Sequence, residues 1–480
     1  MKMKKLLLLC TVLVAVATAQ AAKRPNVVLV ITDDQGYGDL SCHGNPVLKT
    51  PNLDKLHSES VRLTDYHVAP TCSPSRAALI TGHWTNRTGV WHTIMGRSML
   101  RANEVTIGQI MGDGGYHTGM FGKWHLGDNY PYRPEDRGFQ EVLRHGGGGV
   151  GQTPDFWDNA YFDGSYFHNG KPVPVKGFCS DVFFDYAKRF IRKVKNDEKP
   201  FFIYLCTNAP HGPFIAPPKN TKRFTDLGFE AKTAGFYGMI ENIDENMGHL
   251  LARMEEWKLF ENTILIFMSD NGMTGGGGGR PGKPVAKGHP FFNAGQKGLK
   301  GSVDEGGVRV PFFVRWDGKY ATRDINELSA HIDILPTLAA VAGAKLPENQ
   351  VGGRSLLPLL LGQKIRTGDR YLFSQKARWP TGSEPDRHQW SSFAVRNSRY
   401  RLVGKQLFDM VTDPGQKTDV ADRHPEVVKE MRAAYDRFWQ EARPLMVNEE
   451  APMSKTRPFH VWYNQQMEQG GIPNWVPPEL

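Results

Sequence analysis

The sequence predicts an α/β protein: a large mixed, mostly parallel sheet flanked by helices, followed by a smaller C-terminal α+β domain of antiparallel strands and one helix. Three observations predict this. Asn26 to Ile31, Phe201 to Leu205 and Asn262 to Met268 are continuous apolar runs, the pattern of strands buried on both faces of a parallel sheet. Stretches with apolar residues three or four apart lie between them, the mark of covering helices. From about Pro347 to Asp369 the pattern changes to short alternating segments, which places a large domain over residues 22–365 and a smaller one over 366–480.

The N-terminus stands outside this scheme. Lys2, Lys4 and Lys5 precede an apolar run from Leu6 to Ala17, and Ala17, Ala19 and Ala21 offer A-x-A cleavage points. Residues 1–21 therefore read as a secretory signal peptide, which makes the mature protein secreted or periplasmic. The run is too short for a membrane span, no other stretch supplies one, and Cys10 leaves with the signal.

The first strand ends in Thr32-Asp33-Asp34-Gln35-Gly36. Adjacent carboxylates repel unless a cation lies between them, so this is either a solvated turn or a pair of hard oxygen donors for Ca2+ or Mg2+. Residues 71–83 follow, where Pro74 and Ser75 open a helix, Ser75 to Thr81 continue it and Gly82 stops it. Cys72 falls just ahead of that N-terminus, where free N–H groups favour an anion. It is either a small buried cysteine or a nucleophile.

Residues 104–111 read as a helix with Ile107, Ile110 and Met111 inward, and Tyr116 to Phe121 as a short strand. Glycines on both sides of Lys123-Trp124-His125 let the backbone turn tightly and aim both polar side chains at one point, although a lone Lys and His two apart could be a surface pair. Gly146 to Asn159 reads as a long loop whose Trp157 suits core packing or, less often, a sugar ring. Val182, Phe183, Tyr186, Phe190 and Val194 form the inner face of a helix from Asp181 to Val194.

The second buried run leads into Thr207-Asn208-Ala209-Pro210-His211-Gly212-Pro213, a loop that holds His211 between prolines. Tyr237 to Met254 is an amphipathic helix whose methionines are core and whose Asp244 is structural. The third run ends in Ser269-Asp270-Asn271-Gly272. Parallel strands deliver their trailing loops to one edge of an open sheet, so Asp33, Asp34, Asp270 and Asn271 can meet there as four oxygen ligands of one ion. Gly275 to Gly279 is a mobile glycine loop without the G-K-[ST] ending of a phosphate loop. Lys297 to Pro311 carries Lys300, with Glu305 and Arg309 as an ion pair or scaffold. Phe312 to Val314 is a strand and His331 to Thr337 opens a helix. Tyr371 to Ser374, Ser392 to Val395, Tyr400 to Val403 and Gln406 to Phe408 form the antiparallel strands of the smaller domain, covered by a helix from Pro425 to Ala442. The tail from Pro452 on, rich in Pro and Trp, is expected to pack over the body.

Composition narrows the function. With 40% hydrophobic and 23% charged residues the 480-residue chain is an ordinary globular protein that can bury a large core. Losing the three signal lysines takes the formal charge from +9 to +6, which suits an anionic substrate as well as a generally solvated surface. The basic residues are scattered, with no arm or zinc-finger spacing, which excludes a nucleic-acid partner. Cys42, Cys72, Cys179 and Cys206 are too few for a disulfide scaffold, and at most one pair can form if Cys72 is consumed.

Several of these stretches together resemble the blocks of type I sulfatases, of the alkaline phosphatase superfamily, in the family's order over about residues 25–440. They are Asp33-Asp34, the C-x-P-S-R string at Cys72 to Arg76, Gly122-Lys123-Trp124-His125-Leu126-Gly127, the N-x-P-H-x-P block at His211, Asp270-Asn271, and the K-G-x-x-x-E-G-G-x-R-V-P block around Lys300. The resemblance implies an alkaline phosphatase-like fold and a Cys72 oxidised to Cα-formylglycine by a formylglycine-generating or anaerobic sulfatase-maturating enzyme. It implies one Ca2+ held by Asp33, Asp34, Asp270, Asn271 and residue 72. Arg76 and the ion would hold the formylglycine diol, with Asp270 as a proton acceptor. Lys123 and Lys300 would bind the sulfate. His211 would protonate the leaving oxygen and His125 act at the formylglycine, with the two imidazoles interchangeable on residue type alone. The implied reaction is hydrolysis of a sulfate ester on a sulfated poly- or oligosaccharide. A phosphodiesterase or phosphonate monoester hydrolase of the same superfamily is one alternative. A sulfated-glycan binder that never oxidises Cys72 is the other.

Overall fold

A computed structural model describes residues 23–93, 98–151, 159–276, 279–280, 282–363, 370–380, 383–447, 465 and 468–470. The expected signal peptide, Trp157, part of the 275–279 glycine loop, the expected boundary near 365 and most of the C-terminal tail lie outside the described residues.

Ten strands form one sheet. In chain order they are β1 (Asn26–Thr32), β2 (Val61–Leu63), β3 (His117–Lys123), β4 (Glu141–His145), β5 (Ser165–His168), β6 (Lys171–Pro174), β7 (Phe201–Cys206), β8 (Thr263–Ser269), β9 (Phe312–Arg315) and β10 (Arg323–Ile325). Their order across the sheet is β10-β2-β9-β8-β1-β7-β3-β4-β5-β6. The middle strands β8, β1, β7, β3 and β4 run parallel. Antiparallel pairings flank them, β9 against β8 and β2 on one side and the β5–β6 hairpin on the other.

The continuous apolar run of β1 has the expected cause. Val27, Leu29 and Ile31 pack into one hydrophobic cluster and Val28 and Val30 into another, so neither face of the strand meets water. The first cluster includes Ala77, Leu79 and Ile80 of helix α1 (Cys72–Thr81). The second is filled from helices α2 (Cys179–Val194) and α3 (Ala231–Glu256), whose Phe183, Phe190, Ile243 and Met247 are fully or nearly fully buried. Asp244, on α3, accepts hydrogen bonds from Asn52 Nδ2 and the Leu53 amide at 2.8 Å, a structural role. Among the described residues no helix is long and apolar enough to cross a membrane.

Strands β11 (Leu372–Gln375), β12 (Phe393–Arg396), β13 (Tyr400–Val403) and β14 (Gln406–Asp409) form an antiparallel meander. Helix α4 (Pro425–Ala442) covers it with Met431, Tyr435 and Phe438, a helix whose N1 proline has no amide hydrogen to leave unsatisfied. This smaller core also takes Trp91 from the large unit, stacked on Trp379 at 4.5 Å.

Two expectations need correction and a third narrows. Helix α1 begins at Cys72 itself rather than at Pro74, because Thr71 has the extended cap conformation and the Ser75 amide already bonds the Thr71 carbonyl at 3.1 Å. Strand β3 runs on to Lys123 and does not stop at Phe121, since Gly122 lets it pass close against Cys206 of β7. Of the two readings of Glu305 and Arg309, ion pair or scaffold, the structure drops the pair and leaves the scaffold. Glu305 faces His67, Arg396 and Arg401, while Arg309 Nε donates to the Thr64 carbonyl at 2.8 Å. Among the described residues Cys42, Cys72, Cys179 and Cys206 form no disulfide.

Candidate active site

The carboxyl ends of the parallel strands gather the functional side chains. β1 and β8 are neighbours in register, Thr32 opposite Ser269, so Asp33-Asp34 and Asp270-Asn271 leave the sheet side by side. All four residues are fully buried. The Asp34 amide donates to Asp270 Oδ1 at 3.2 Å, and Asn271 Nδ2 donates to Asp34 Oδ1 at 2.8 Å. Asp34 holds the left-handed φ of 70°, an unfavourable backbone for a residue with a Cβ, which turns its carboxylate back over the strand end.

The oxygen atoms left over define a cation site. Asp33 Oδ1, Asp34 Oδ2 and Asn271 Oδ1 are buried without a hydrogen-bond partner among the described residues. Buried oxygens left unpaired carry a large desolvation cost, and hard oxygen donors of this type fit a hard divalent ion such as Ca2+. Asp33, Asp270 and Cys72 also place ligand atoms within 4.8 Å of one another. Burial pushes the Asp33 carboxyl well up, with Asp270 and Asp34 adding to it against Lys123. Burial acts the same way on Asp34, but Lys300, His211 and Lys123 overcome it and hold that carboxyl below its ordinary value.

Two lysines reach this cluster from different elements. Lys123 Nζ lies 2.5 Å from Asp33 Oδ2, and Lys300 Nζ 2.5 Å from Asp34 Oδ1. The Lys300 segment is pinned on both sides, its amide to the Met273 carbonyl at 2.9 Å and the Gly301 amide to the Pro70 carbonyl at 2.7 Å. Arg76, one turn into α1, is wholly buried. Its Nε donates to Asp270 Oδ2 at 2.9 Å and its Nη1 to the Lys123 carbonyl at 3.1 Å.

The two histidines are placed differently. His125, at a φ of 63°, points Nδ1 at Cys72 Sγ, 3.4 Å away. Its Nε2 faces the Thr93 carbonyl at 2.9 Å, an acceptor only, so Nε2 carries the proton and Nδ1 the lone pair. Burial, reinforced by Lys123, pulls this imidazole down to about 3. His211 Nε2 lies 3.8 Å from Asp34 Oδ2, and its Nδ1 faces the Gly212 carbonyl at 2.7 Å. Burial lowers it too, while Asp34 works the other way.

The structure thus brings together Asp33, Asp34, Cys72, Arg76, Lys123, His125, His211, Asp270, Asn271 and Lys300. Two neighbours escaped the sequence reading. The Thr93 carbonyl orients His125, and a backbone oxygen carries no side-chain signal. His145, at the end of β4 and opposite Lys123, is buried with Nε2 unpartnered among the described residues. A histidine at the trailing end of a parallel strand, just before the Gly146 glycine run, was the available clue.

Known proteins resemble this chain in sequence and in fold. The sulfatase family model matches residues 25–344, and the model for the C-terminal region of N-sulphoglucosamine sulphohydrolase matches residues 300–440. Human arylsulfatase A is 31% identical over 479 residues, covering 88% of this chain and 89% of its own. The N-acetylgalactosamine-6-O-sulfatase of Bacteroides thetaiotaomicron is 29% identical, covering 86% and 92%. Among solved structures, Ps i-CgsB in complex with k-i-k-neocarrahexaose superposes with a TM-score of 0.75 at 29% identity, covering 86% of this chain and 92% of that one. With a family model over the sheet and its site, and relatives that span nearly the full length, the chain belongs to the sulfatase family, as a type I sulfatase that hydrolyses sulfuric esters.

Proposed function

We propose that this sulfatase removes sulfate from a sulfated poly- or oligosaccharide, with a formylglycine formed at Cys72 and one Ca2+ as its working groups. The observation that carries the reading is the set of buried oxygens on Asp33, Asp34 and Asn271 without a hydrogen-bond partner among the described residues, gathered where Cys72 opens a helix and two lysines converge. The sugar substrate is supported by relatives whose names state sulfated-sugar chemistry, such as the N-acetylgalactosamine-6-O-sulfatase.

Asp33, Asp34, Asp270 and Asn271 would hold the ion, which supplies positive charge to the sulfuryl oxygens. The oxidised side chain at position 72 supplies a hydroxyl nucleophile. Lys123 and Lys300 bind the remaining sulfuryl oxygens and offset charge that spreads over them in flight. Arg76 fixes the Asp270 carboxylate, which accepts the proton of the attacking hydroxyl. His211 donates its Nε2 proton to the leaving oxygen, and the arriving anionic ester raises the proton affinity that burial lowers. His125 Nδ1 then takes a proton at position 72, a lone pair kept available by the Nε2 bond to Thr93.

A desulfation panel on defined sulfated sugars, run beside matched aryl sulfate and phosphodiester substrates, tests the reaction. Turnover of at least one sulfated sugar, with the aryl sulfate as surrogate, is expected; a faster phosphodiester or no active sugar overturns the substrate class. Mass spectrometry of the peptide containing residue 72, from protein made in its native host, tests the nucleophile. The aldehyde is expected there, and an intact thiol overturns the reading.

A further inference from the structure

A second cluster of ligating side chains lies outside the sulfatase site. Cys42 Sγ, one ring nitrogen of His43 and one of His57 all stand within 4.8 Å of one another. Cys42 and His43 sit in the single helical turn Ser41–His43, and His57 in the last turn of the helix Pro51–Ser58. All three are half-buried and line a cavity of about 400 Å³, which gives an ion both room and an entry path.

The chemistry of the three donors is specific. One sulfur and two imidazoles suit a borderline-soft transition ion and not the hard Ca2+ of the oxygen site. His43 Nδ1 faces the Tyr37 carbonyl at 2.6 Å, so Nδ1 carries the proton and Nε2 keeps its lone pair, the backbone-anchored arrangement seen behind metal-bound histidines. The His43 ring is further fixed by stacking on Tyr37 at 3.9 Å, and the rings of His43 and His57 both lie edge-on to Phe313. Burial pulls His43 down to about 4 and lowers His57 as well, so both are uncharged ligands near neutral pH. The nearby Arg62 is compensated by Asp324 at 2.5 Å, which limits its repulsion of a cation. A triangle with 4.8 Å sides has its centre about 2.8 Å from each corner, and Zn–N and Zn–S bonds are about 2.0–2.3 Å, so closure by less than about 1 Å forms the site.

We propose that Cys42, His43 and His57 bind one divalent transition ion of the Zn2+ class, with the cavity supplying a water as fourth ligand. The ion fastens the Ser41–His43 turn, which follows the Asp33-Asp34 loop, to the helix Pro51–Ser58. Binding forms a Zn–thiolate bond and releases the Cys42 proton to solvent; no redox step is involved.

The full chain is stripped with chelator, reloaded with Ca2+, exposed to Zn2+, gel-filtered and assayed for metal. Wild type is expected to retain about one zinc, and Cys42→Ser and His57→Gln less than about a tenth as much, as loss of a ligand from a three-residue site predicts. Both variants should keep wild-type Ca2+ content and sulfatase activity, which shows that they fold. Cys72→Ala should keep its zinc. Co2+ in place of Zn2+ should give tetrahedral d–d bands and a sulfur-to-cobalt charge-transfer band in wild type and Cys72→Ala. Should Cys42→Ser misfold, these two spectra decide. No zinc retained by wild type, zinc at the wild-type level in Cys42→Ser and His57→Gln, zinc lost only in Cys72→Ala, or no sulfur band with cobalt each overturns the proposal.

Discussion

At the scale of single residues, Arg76 and His125 separate holding a site together from moving protons within it. Arg76 is fully buried against Asp270, and removing one member of such a pair leaves the other charge uncompensated at a cost of about 3–5 kcal/mol. Arg76→Ala is expected to lose that much unfolding free energy in a urea titration with unchanged slope, together with aryl sulfate turnover. Arg76→Lys should regain part of the stability but little activity, because a single ammonium cannot serve both Asp270 and the Lys123 carbonyl. On the role proposed for His125 as proton acceptor, His125→Ala should lose about 10²–10⁴ in rate. Since Nδ1 faces position 72 and not the leaving group, the variant should release one alcohol per enzyme in a burst and then slow, visible by stopped flow with a chromogenic aryl sulfate. The residue types at these positions were readable from the sequence. Which imidazole faces residue 72 was not, because it depends on the Thr93 carbonyl and on the left-handed backbone at His125.

At the scale of elements, the site depends on three backbone segments meeting without room to spare. Gly272 follows Asn271, its amide bonds the Gly307 carbonyl at 3.0 Å, and a Cβ on it would stand 1.9 Å from the Gly306 oxygen. Gly272→Ala must therefore push the Asp270-Asn271 loop away from the turn that follows Lys300. Overpacking of this kind costs about 1–3 kcal/mol or more, and Ca2+ affinity measured by calorimetry should fall together with a rise in KM. The Lys300 segment is also braced from the C-terminal sheet. Arg401 donates to the Val303 carbonyl at 2.7 Å and pairs with Glu305 at 2.9 Å, while Gln416 Oε1 accepts the Glu305 amide at 2.8 Å. Burial alone would raise Glu305, yet Arg401 and His67 hold it well below the usual carboxylate range. Arg401→Met should raise KM more than it lowers kcat, because it loosens Lys300, the lysine proposed to bind the sulfate, and leaves position 72 in place. The strands β1, β7 and β8 were legible as unbroken apolar runs. The β5–β6 hairpin and the short strands β2 and β10 at the other end of the sheet were not, since three or four residues are too few to show a long run or a sustained alternation.

At the scale of the whole molecule, burial of titratable groups sets the response to acid. Burial pulls His331 down to about 3 in the folded chain, against about 6.5 unfolded. The unfolded chain therefore binds the extra proton between those values, so the contribution of His331 is complete above pH 6.5 and shrinks as pH falls toward 3. Urea midpoints at pH 7 and pH 5 should show wild type losing about 2 kcal/mol more than His331→Gln over that interval, since each pH unit below the unfolded value is worth about 1.4 kcal/mol per proton. What the sequence determined by itself was the strand core, the order of the polar blocks and the chemistry those residues can perform, because apolar period and residue type are local properties. What only the tertiary structure decided was convergence. Residues as far apart as Asp33 and Asp270 share one cluster because β1 and β8 pair in register, and Glu305 turned to Arg401 instead of Arg309 because the C-terminal sheet packs against its loop. Such pairings are set by strand order and by which buried charges find compensation, and no local pattern in the chain encodes them.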